Sequence, residues 1–168
     1  MNTMTLRDAV DADHATILAL NLESEHLLSP MDAEKLRQLD TQSAYHRVAV
    51  DADGVGAFLL VFRESADYDS PNYRWFSERY DRFLYIDRIA VSAARQGRGY
   101  GAALYDNLFA FARAAGIMNV VCEFYSEPLN EVSQRFHARY GFHEVGREWL
   151  ANGKQVSLQI ATLSDLPR

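Results

Sequence analysis

Apolar and polar positions alternate along some stretches of the chain and recur at helical spacing along others. The switches between the two periods mark the elements. A short first strand is predicted at residues 4–7. Ile17, Leu18, Leu20 and Leu22 then give one apolar side to a helix that Asp11 or Asp13 can cap. Ser29-Pro30 opens a second helix, with Ser29 as N-cap, Pro30 as the first residue and Asp32 as the third. Strands at 45–50 and 55–62 flank the hairpin turn Asp51-Ala52-Asp53-Gly54. Residues 64–80 show no period and are expected to form a long loop, acidic at first and then aromatic. Alternation over 82–92 predicts a long strand with Phe83, Tyr85, Asp87, Ile89 and Val91 on one face. Leu84, Ile86, Arg88 and Ala90 fall on the other. Leu104, Leu108, Phe111 and Ala115 keep helical spacing up to Gly116, a stop signal. A strand at 118–124, a helix at 130–140 ending on Gly141, and a hairpin of 142–149 with 155–162 around Asn152-Gly153 complete the chain. The order β-α-α-β-β-β-α-β-α-β-β implies a mixed α/β (α+β) fold. Its sheet is mostly antiparallel, with helices against it and one β-α-β crossover.

Composition narrows this picture. A chain of 168 residues fits one domain, taken as 1–168, and is long enough for a substantial core. No apolar run spans a bilayer. Asp8, Asp11, Asp13 and His14 interrupt any apolar stretch near the start, so neither a membrane span nor a signal peptide is expected, and the expected location is cytoplasmic. Cys122 is the sole cysteine, which excludes an intrachain disulfide and a cysteine-based zinc site. The net charge of −6 argues against broad nucleic-acid binding and favours small cationic or neutral partners.

The candidate chemistry starts at Gln96-Gly97-Arg98-Gly99-Tyr100-Gly101, just before a helix. Paired glycines at a helix start let successive N–H groups approach an anion. One reading is a dinucleotide fingerprint. The G-x-G-x-x-A pattern ends at Ala102, and Glu123 follows about 20 residues later, where a ribose carboxylate would be expected. Against it, that fingerprint begins directly after its strand, whereas 92–96 intervene here, and further β-α-β units are lacking. The other reading is a diphosphate loop of the form Q-x-x-G-x-G, to which Arg95 or Arg98 could add charge.

This loop resembles the acetyl-coenzyme A loop of the GNAT acyltransferases, and the resemblance covers almost the whole chain. "LRDAVDADHATILALN" is similar to the family's first strand and helix. "DRIAVSAARQGRGYGAALYDNLFAFARAAG" is similar to its central strand, loop and helix. "NEVSQRFHARYGFHEVG" is similar to its later helix and strand, with Asn130, Ser133, Gly141 and Phe142 at matching positions. One departure concerns chemistry. Many members carry a tyrosine seven residues after that Asn, taken to protonate the departing thiolate, and this chain has His137 there.

The resemblance implies an N-acetyltransferase moving acetyl from acetyl-coenzyme A to a primary amine of a small molecule or peptide, by direct attack in a ternary complex. It implies coenzyme A as acyl carrier and no metal, no nucleic acid and no membrane. A homodimer is compatible with it. The coenzyme would lie on Ile89, Ala90 and Val91, on the loop Arg95–Gly101, and on Asn130, Ser133 and Phe136, between two splayed strands. A main-chain N–H near Val91 would serve the oxyanion. Arg88 is disfavoured as a helper because alternation turns it away from the Asp87 face.

An alkylammonium, with a pKa of about 10, must lose a proton before attack. Asp87 is the leading base, with Tyr85 on its face and Glu123 on the neighbouring strand. The alternative for Asp87 is an ion pair with a nearby arginine. His137 is the expected acid, as imidazolium or as a neutral N–H donor, its alternative being a packing role. His14, His46 and His143 are read as structural, and a covalent role for Cys122 is not expected. The acceptor side is expected to be walled by Glu23 and His26 and by the acidic, aromatic loop with Tyr73, Trp75 and Phe76. Cations bind well beside carboxylates and aromatic faces, although these aromatics could equally cover the sheet. A coenzyme A sensing module without turnover, and a dinucleotide-binding protein, are the competing function classes.

Overall fold

The computed structural model describes residues 3–165. Its strands are β1 (Thr5–Asp8), β2 (Tyr45–Asp51), β3 (Gly54–Arg63), β4 (Leu84–Val91), β5 (Asn119–Glu127), β6 (His143–Trp149) and β7 (Gln155–Thr162). The helices are α1 (His14–Glu23), α2 (Ala33–Gln42), α3 (Pro71–Ser77), α4 (Tyr100–Ala115) and α5 (Glu131–Arg139). The seven strands form one sheet in the order β1-β2-β3-β4-β5-β7-β6. All neighbours are antiparallel except β4 and β5, the pair joined through α4.

Apolar side chains collect on both faces of the sheet. On one, Leu84, Ile86, Val120 and Cys122 pack under Leu104, Tyr105, Leu108 and Ala112 of α4. On the other, Phe58, Phe62, Phe83 and Tyr85 pack under Ile17 and Leu20 of α1, Leu36 and Leu39 of α2, and Tyr73 and Phe76 of α3.

The hydrophobic period located most elements, and three details differ. Leu22 does not share the buried side of α1: it is 65% exposed, and the side is built from Ile17, Leu20 and Asn21. Asp13 stands at the N-cap position of α1, as expected, but its side chain accepts no N–H of that helix. Asp13 instead takes a bidentate pair from Arg7, at 2.6 and 2.8 Å, and the N–H of Val10. The second helix starts at Ala33, where Asp32 accepts from the Lys35 N–H at 2.8 Å. Ser29 cannot begin it, because its carbonyl oxygen is taken by the side chains of Asn21 and Arg88.

Two larger differences shape the site. The expected loop at 64–80 contains α3, capped by Ser70 with Pro71 at its first turn. Strict alternation along β4 also fails. Leu60 pairs with Arg88 and Val61 with Ile86, so Asp87 is an extra residue without a partner on β3. An extra residue reverses every side chain beyond it. Ile89 and Val91 therefore join Leu84 and Ile86 on the α4 face, while Ala90 joins Phe83 and Tyr85 on the other.

Candidate active site

The glycine loop supplies a bare helix end. Gly97 and Gly99 lie at φ 73° and 86°, a left-handed conformation that favours glycine. Gly99 caps α4 with no side-chain acceptor, so the first N–H groups of the helix are free to meet an anion. Gly101, the second residue of α4, would place a Cβ 3.7 Å from the Phe136 ring and 3.8 Å from Ile89. The structure thus brings together Ile89, Gly101 and Phe136 from β4, α4 and α5.

A buried network shapes this loop from behind. Arg95 donates to both oxygens of Asp51, at 2.7 and 2.8 Å, and the Tyr100 hydroxyl donates to the same carboxylate at 2.6 Å. These donors hold the Asp51 carboxyl well below the usual range. Gly56 leaves room for the Arg95 stem, which a Cβ there would strike. The Arg95 side chain, expected as one source of charge at the anion, is therefore a strut, as is that of Tyr100. Arg98 remains exposed, and Gln96 reaches back to the Val91 carbonyl at 3.4 Å.

Beside the loop, β4 and β5 separate. Their ladder consists of Leu84 with Val120 and Tyr85 with Val121, so among the described residues no strand pairs with that edge of β4 from Ile86 to Val91. Ile89, Ala90 and Val91 line the opening on one side. Across it stands α5, where Asn130 accepts from the Ser133 N–H at 3.2 Å. Such an opening suits an amide-bearing arm entering as an added strand.

His137 is buried within a packed aromatic group of Tyr105, Phe124, Phe136 and Phe142. Its Nδ1 lies 2.7 Å from the Ser133 carbonyl oxygen, which can only accept, so Nδ1 carries the proton. Nε2 then accepts from the Tyr105 hydroxyl at 2.7 Å. Burial lowers its pKa to about 4. A neutral imidazole with both nitrogens engaged does not suit the expected acid role; it ties α5 to α4. Because its folded pKa is lowered, its contribution to stability is complete above the ordinary value near 6.5 and is lost as pH falls toward 4. His137→Phe leaves the Tyr105 hydroxyl without its acceptor. The variant should melt several degrees lower at neutral pH, lose less stability between pH 6.5 and 4 than the parent, and keep kcat within a few fold. Thermal melts across that range with initial rates check this, and a kcat loss of a hundredfold in a folded variant would return His137 to the chemistry.

On the opposite face of the sheet, Asp87 and Arg88 form an ion pair at 2.7 Å, with each side chain 4% exposed. The bulge explains it, since Arg88 turns to the side that simple alternation denied it. The Tyr68 hydroxyl donates to the other Asp87 oxygen. Arg88 also reaches Asn21 and the Ser29 carbonyl, at 3.0 and 3.1 Å. Both oxygens of Asp87 are thus occupied, which does not suit the leading base expected from the sequence.

Glu123 is different. Its Oε1 accepts from Tyr85 at 2.8 Å and from Asn72 at 3.1 Å. Its Oε2 is buried and, among the described residues, has no hydrogen-bond partner. Burial first, then the charge of Asp87, raises its pKa to about 8, against the opposing hydrogen bonds.

Of the other acceptor-side residues, Tyr73 and Phe76 are core side chains, 4% and 0% exposed, so they cover the sheet rather than face a ligand. Trp75 is half-buried, packs over Gly146 and carries the Arg79 guanidinium 4.0 Å from its ring. Glu23 accepts from the Ala93 N–H at 3.2 Å, which places it beside the glycine loop, and His26 is exposed. Asn72 falls outside the expected site because α3 is not foreseen in the sequence. Ser70-Pro71 with Tyr73 and Phe76 three residues apart was the available signal.

The splayed parallel pair, the glycine-opened helix and the carboxylate facing them define an acyl-transfer architecture. The model of the acetyltransferase (GNAT) family matches residues 29–142, and the chain belongs to that family. Among solved structures, Ard1 from Thermoplasma volcanium is similar at 16% identity and a TM-score of 0.76, over 95% of this chain and 97% of that one. The ribosomal-protein-S18-alanine N-acetyltransferase from Escherichia coli is similar at 13% identity and a TM-score of 0.74, over 99% and 97%. Arabidopsis thaliana NAA60 in complex with acetyl-CoA is similar at 16% identity and a TM-score of 0.76, over 95% and 99%. No curated protein matches the chain in sequence. Among the described residues, no helix is long and apolar enough to cross a membrane.

Proposed function

We propose that this acetyltransferase moves acetyl from acetyl-coenzyme A to a primary amine by direct attack, with Glu123 as the base. The observation that carries the reading is the Glu123 carboxyl, buried beside the β4–β5 opening with one oxygen held by Tyr85 and Asn72 and the other without a partner.

The chain's groups fit the coenzyme. A diphosphate meets the free N–H groups at Gly99–Gly101 and the exposed Arg98, and the arm lies along the unpaired edge of β4. Membership of the family and the acetyl-CoA bound by NAA60 support this donor. A carboxylate at Glu123 accepts a proton from the ammonium, whose pKa is about 10, and leaves a lone pair to attack the thioester carbon; the C–S bond then breaks, and coenzyme A leaves as a thiolate, with a pKa of about 8.5, that takes up the proton the nitrogen sheds as the amide forms. A pKa near 8 makes Glu123 a stronger base than an ordinary carboxylate and halves its ionised fraction at pH 8. Asp87 stays charged and paired, and its negative field supports the proton affinity of Glu123.

The test is release of coenzyme A thiol from acetyl-coenzyme A over a panel of small amines, amino acids and peptides with free N-termini. Amine-dependent thiol release at a rate rising toward pH 8 is expected. Tight coenzyme binding with no release for any amine would make the chain a sensing module instead.

A further inference from the structure

Two buried acceptors without a donor sit on side chains that are hydrogen-bonded to each other. Among the described residues, Oε2 of Glu123 and Oδ1 of Asn72 lack partners, while Asn72 Nδ2 donates to Oε1 of Glu123 at 3.1 Å. A buried acceptor left unpaired is costly, so two such atoms on neighbouring side chains point to a ligand that satisfies them. The flanking groups are already committed. Tyr85 donates to Glu123, Tyr68 to Asp87, and Arg88 to Asp87, Asn21 and Ser29.

The element carrying Asn72 is firmly anchored. Ser70 caps α3. The Tyr73 hydroxyl donates to the Arg63 carbonyl at 2.6 Å and accepts from the Ala66 N–H at 2.9 Å. Phe76, one turn beyond Asn72, is fully buried against Phe83 and Tyr85. Residues four apart share a helix face, so the core contact of Phe76 turns Asn72 inward to β5.

We propose that Asn72 is the positioning residue for Glu123 and that its Oδ1 takes one N–H of the acceptor nitrogen while Oε2 takes another. The inference rests on Glu123 being the base. An ammonium with three N–H groups satisfies both oxygens. After one proton passes to Oε2, the amine keeps an N–H on Asn72, and its lone pair is freed. A singly N-methylated ammonium keeps two N–H groups and still meets both oxygens, whereas an N,N-dimethylated one has a single N–H and must leave one contact unmade.

The groups around Glu123 on its face of the sheet are Tyr85, Asp87 and Arg88 from β4, Tyr68 from the segment before α3 and Asn72 itself, while Tyr105 and Cys122 feel its charge from the α4 face. Of these, Asn72 and Tyr85 donate to its carboxylate, a contact that favours the charged form.

Asn72→Leu keeps approximate volume and removes both polar contacts. The acidic limb of the kcat profile should move upward by about one pH unit, the loss of one hydrogen bond to a charge. The acceptor KM should rise about tenfold and the acetyl-coenzyme A KM change less than twofold. The binding preference for a primary amine over its N,N-dimethyl analogue, read as a competitive inhibitor, should shrink about tenfold, the worth of one polar contact. Asn72→Asp keeps the shape, sets a second carboxyl beside Glu123, and should also move the limb upward, so it carries the test where the leucine variant does not fold. An unmoved limb or an unchanged amine preference in a folded variant overturns the proposal. Glu123→Gln measured in parallel separates the causes. If it is inactive while the Asn72 variants behave as the parent, only Asn72 is wrongly assigned; if it is fully active, both assignments fall.

Discussion

Gly99→Asp is expected to weaken coenzyme binding more than a hundredfold while the chain stays folded. Gly99 stands where an anion must approach the free N–H groups of α4, and its φ of 86° keeps that approach open. Aspartate brings its own negative charge to the positive end of the helix, and its carboxylate can satisfy the N–H groups itself, as a helix cap does. The charge effect separates from the backbone effect through Gly99→Asn. Asparagine tolerates a left-handed φ about as well as aspartate and has nearly the same shape, but it is neutral. It should weaken binding by about tenfold. Nothing lies within 4 Å of a Cβ built at Gly99, so neither change forces a steric clash with the fold. Titration calorimetry with acetyl-coenzyme A, coenzyme A and NAD, next to circular dichroism, reads the result. Unchanged acetyl-coenzyme A affinity in a folded Asp variant would place the diphosphate elsewhere. Binding of NAD in preference to coenzyme A would revive the dinucleotide reading of the same glycines.

The loop was legible because its signal is local. Glycines at alternate positions ahead of an apolar helical period demand the conformations that the structure contains. The splayed strands were legible only through resemblance, since no spacing in the chain says where a ladder stops. Helix starts show how far a local signal reaches. Ser-Pro occurs at residues 29–30 and again at 70–71. The first was expected to open a helix, and the second was assigned to a loop. The structure reverses this: Ser70 caps α3, whereas the Ser29 carbonyl is claimed by Asn21 and Arg88 from other elements. The same pair of residues has two outcomes because tertiary partners compete for the backbone. The catalytic face was misread for a similar reason. Alternation correctly put Tyr85 and Asp87 together, but one unpaired residue at Asp87 brings Arg88 to their side, where the two form an ion pair. A bulge is a property of two strands in register and leaves no mark on one of them alone. The preference for Asp87 over Glu123 could not have been corrected from spacing, because what separates them is which partners their oxygens find.

Glu123→Gln should lower kcat by about a hundredfold or more, the usual contribution of a positioned general base. The amide keeps the shape of the carboxyl, so its contacts with Tyr85 and Asn72 can be retained after rotation, while the proton acceptor is lost. The variant should also lose the rise in rate that the parent shows as pH approaches 8, since that rise reports ionisation of this carboxyl. Stability should move the other way. A carboxyl whose folded pKa is raised to about 8 from the ordinary value of 4.5 holds its proton more tightly in the native state than in the unfolded chain. Between those values the unfolded chain binds fewer protons, so the parent loses stability as pH rises through this window and loses no more above it. Glutamine carries no charge to bury and should melt higher than the parent at pH 8 and above, while the difference narrows toward pH 4.5. A residue retained at such a cost to stability is one whose charge the site uses. The two readouts together test the assignment. A slow, alkali-stabilised variant is the expected outcome. A variant that turns over like the parent, with the parent's pH profile, would transfer deprotonation to solvent and leave Glu123 as a buried carboxyl without a part in the reaction.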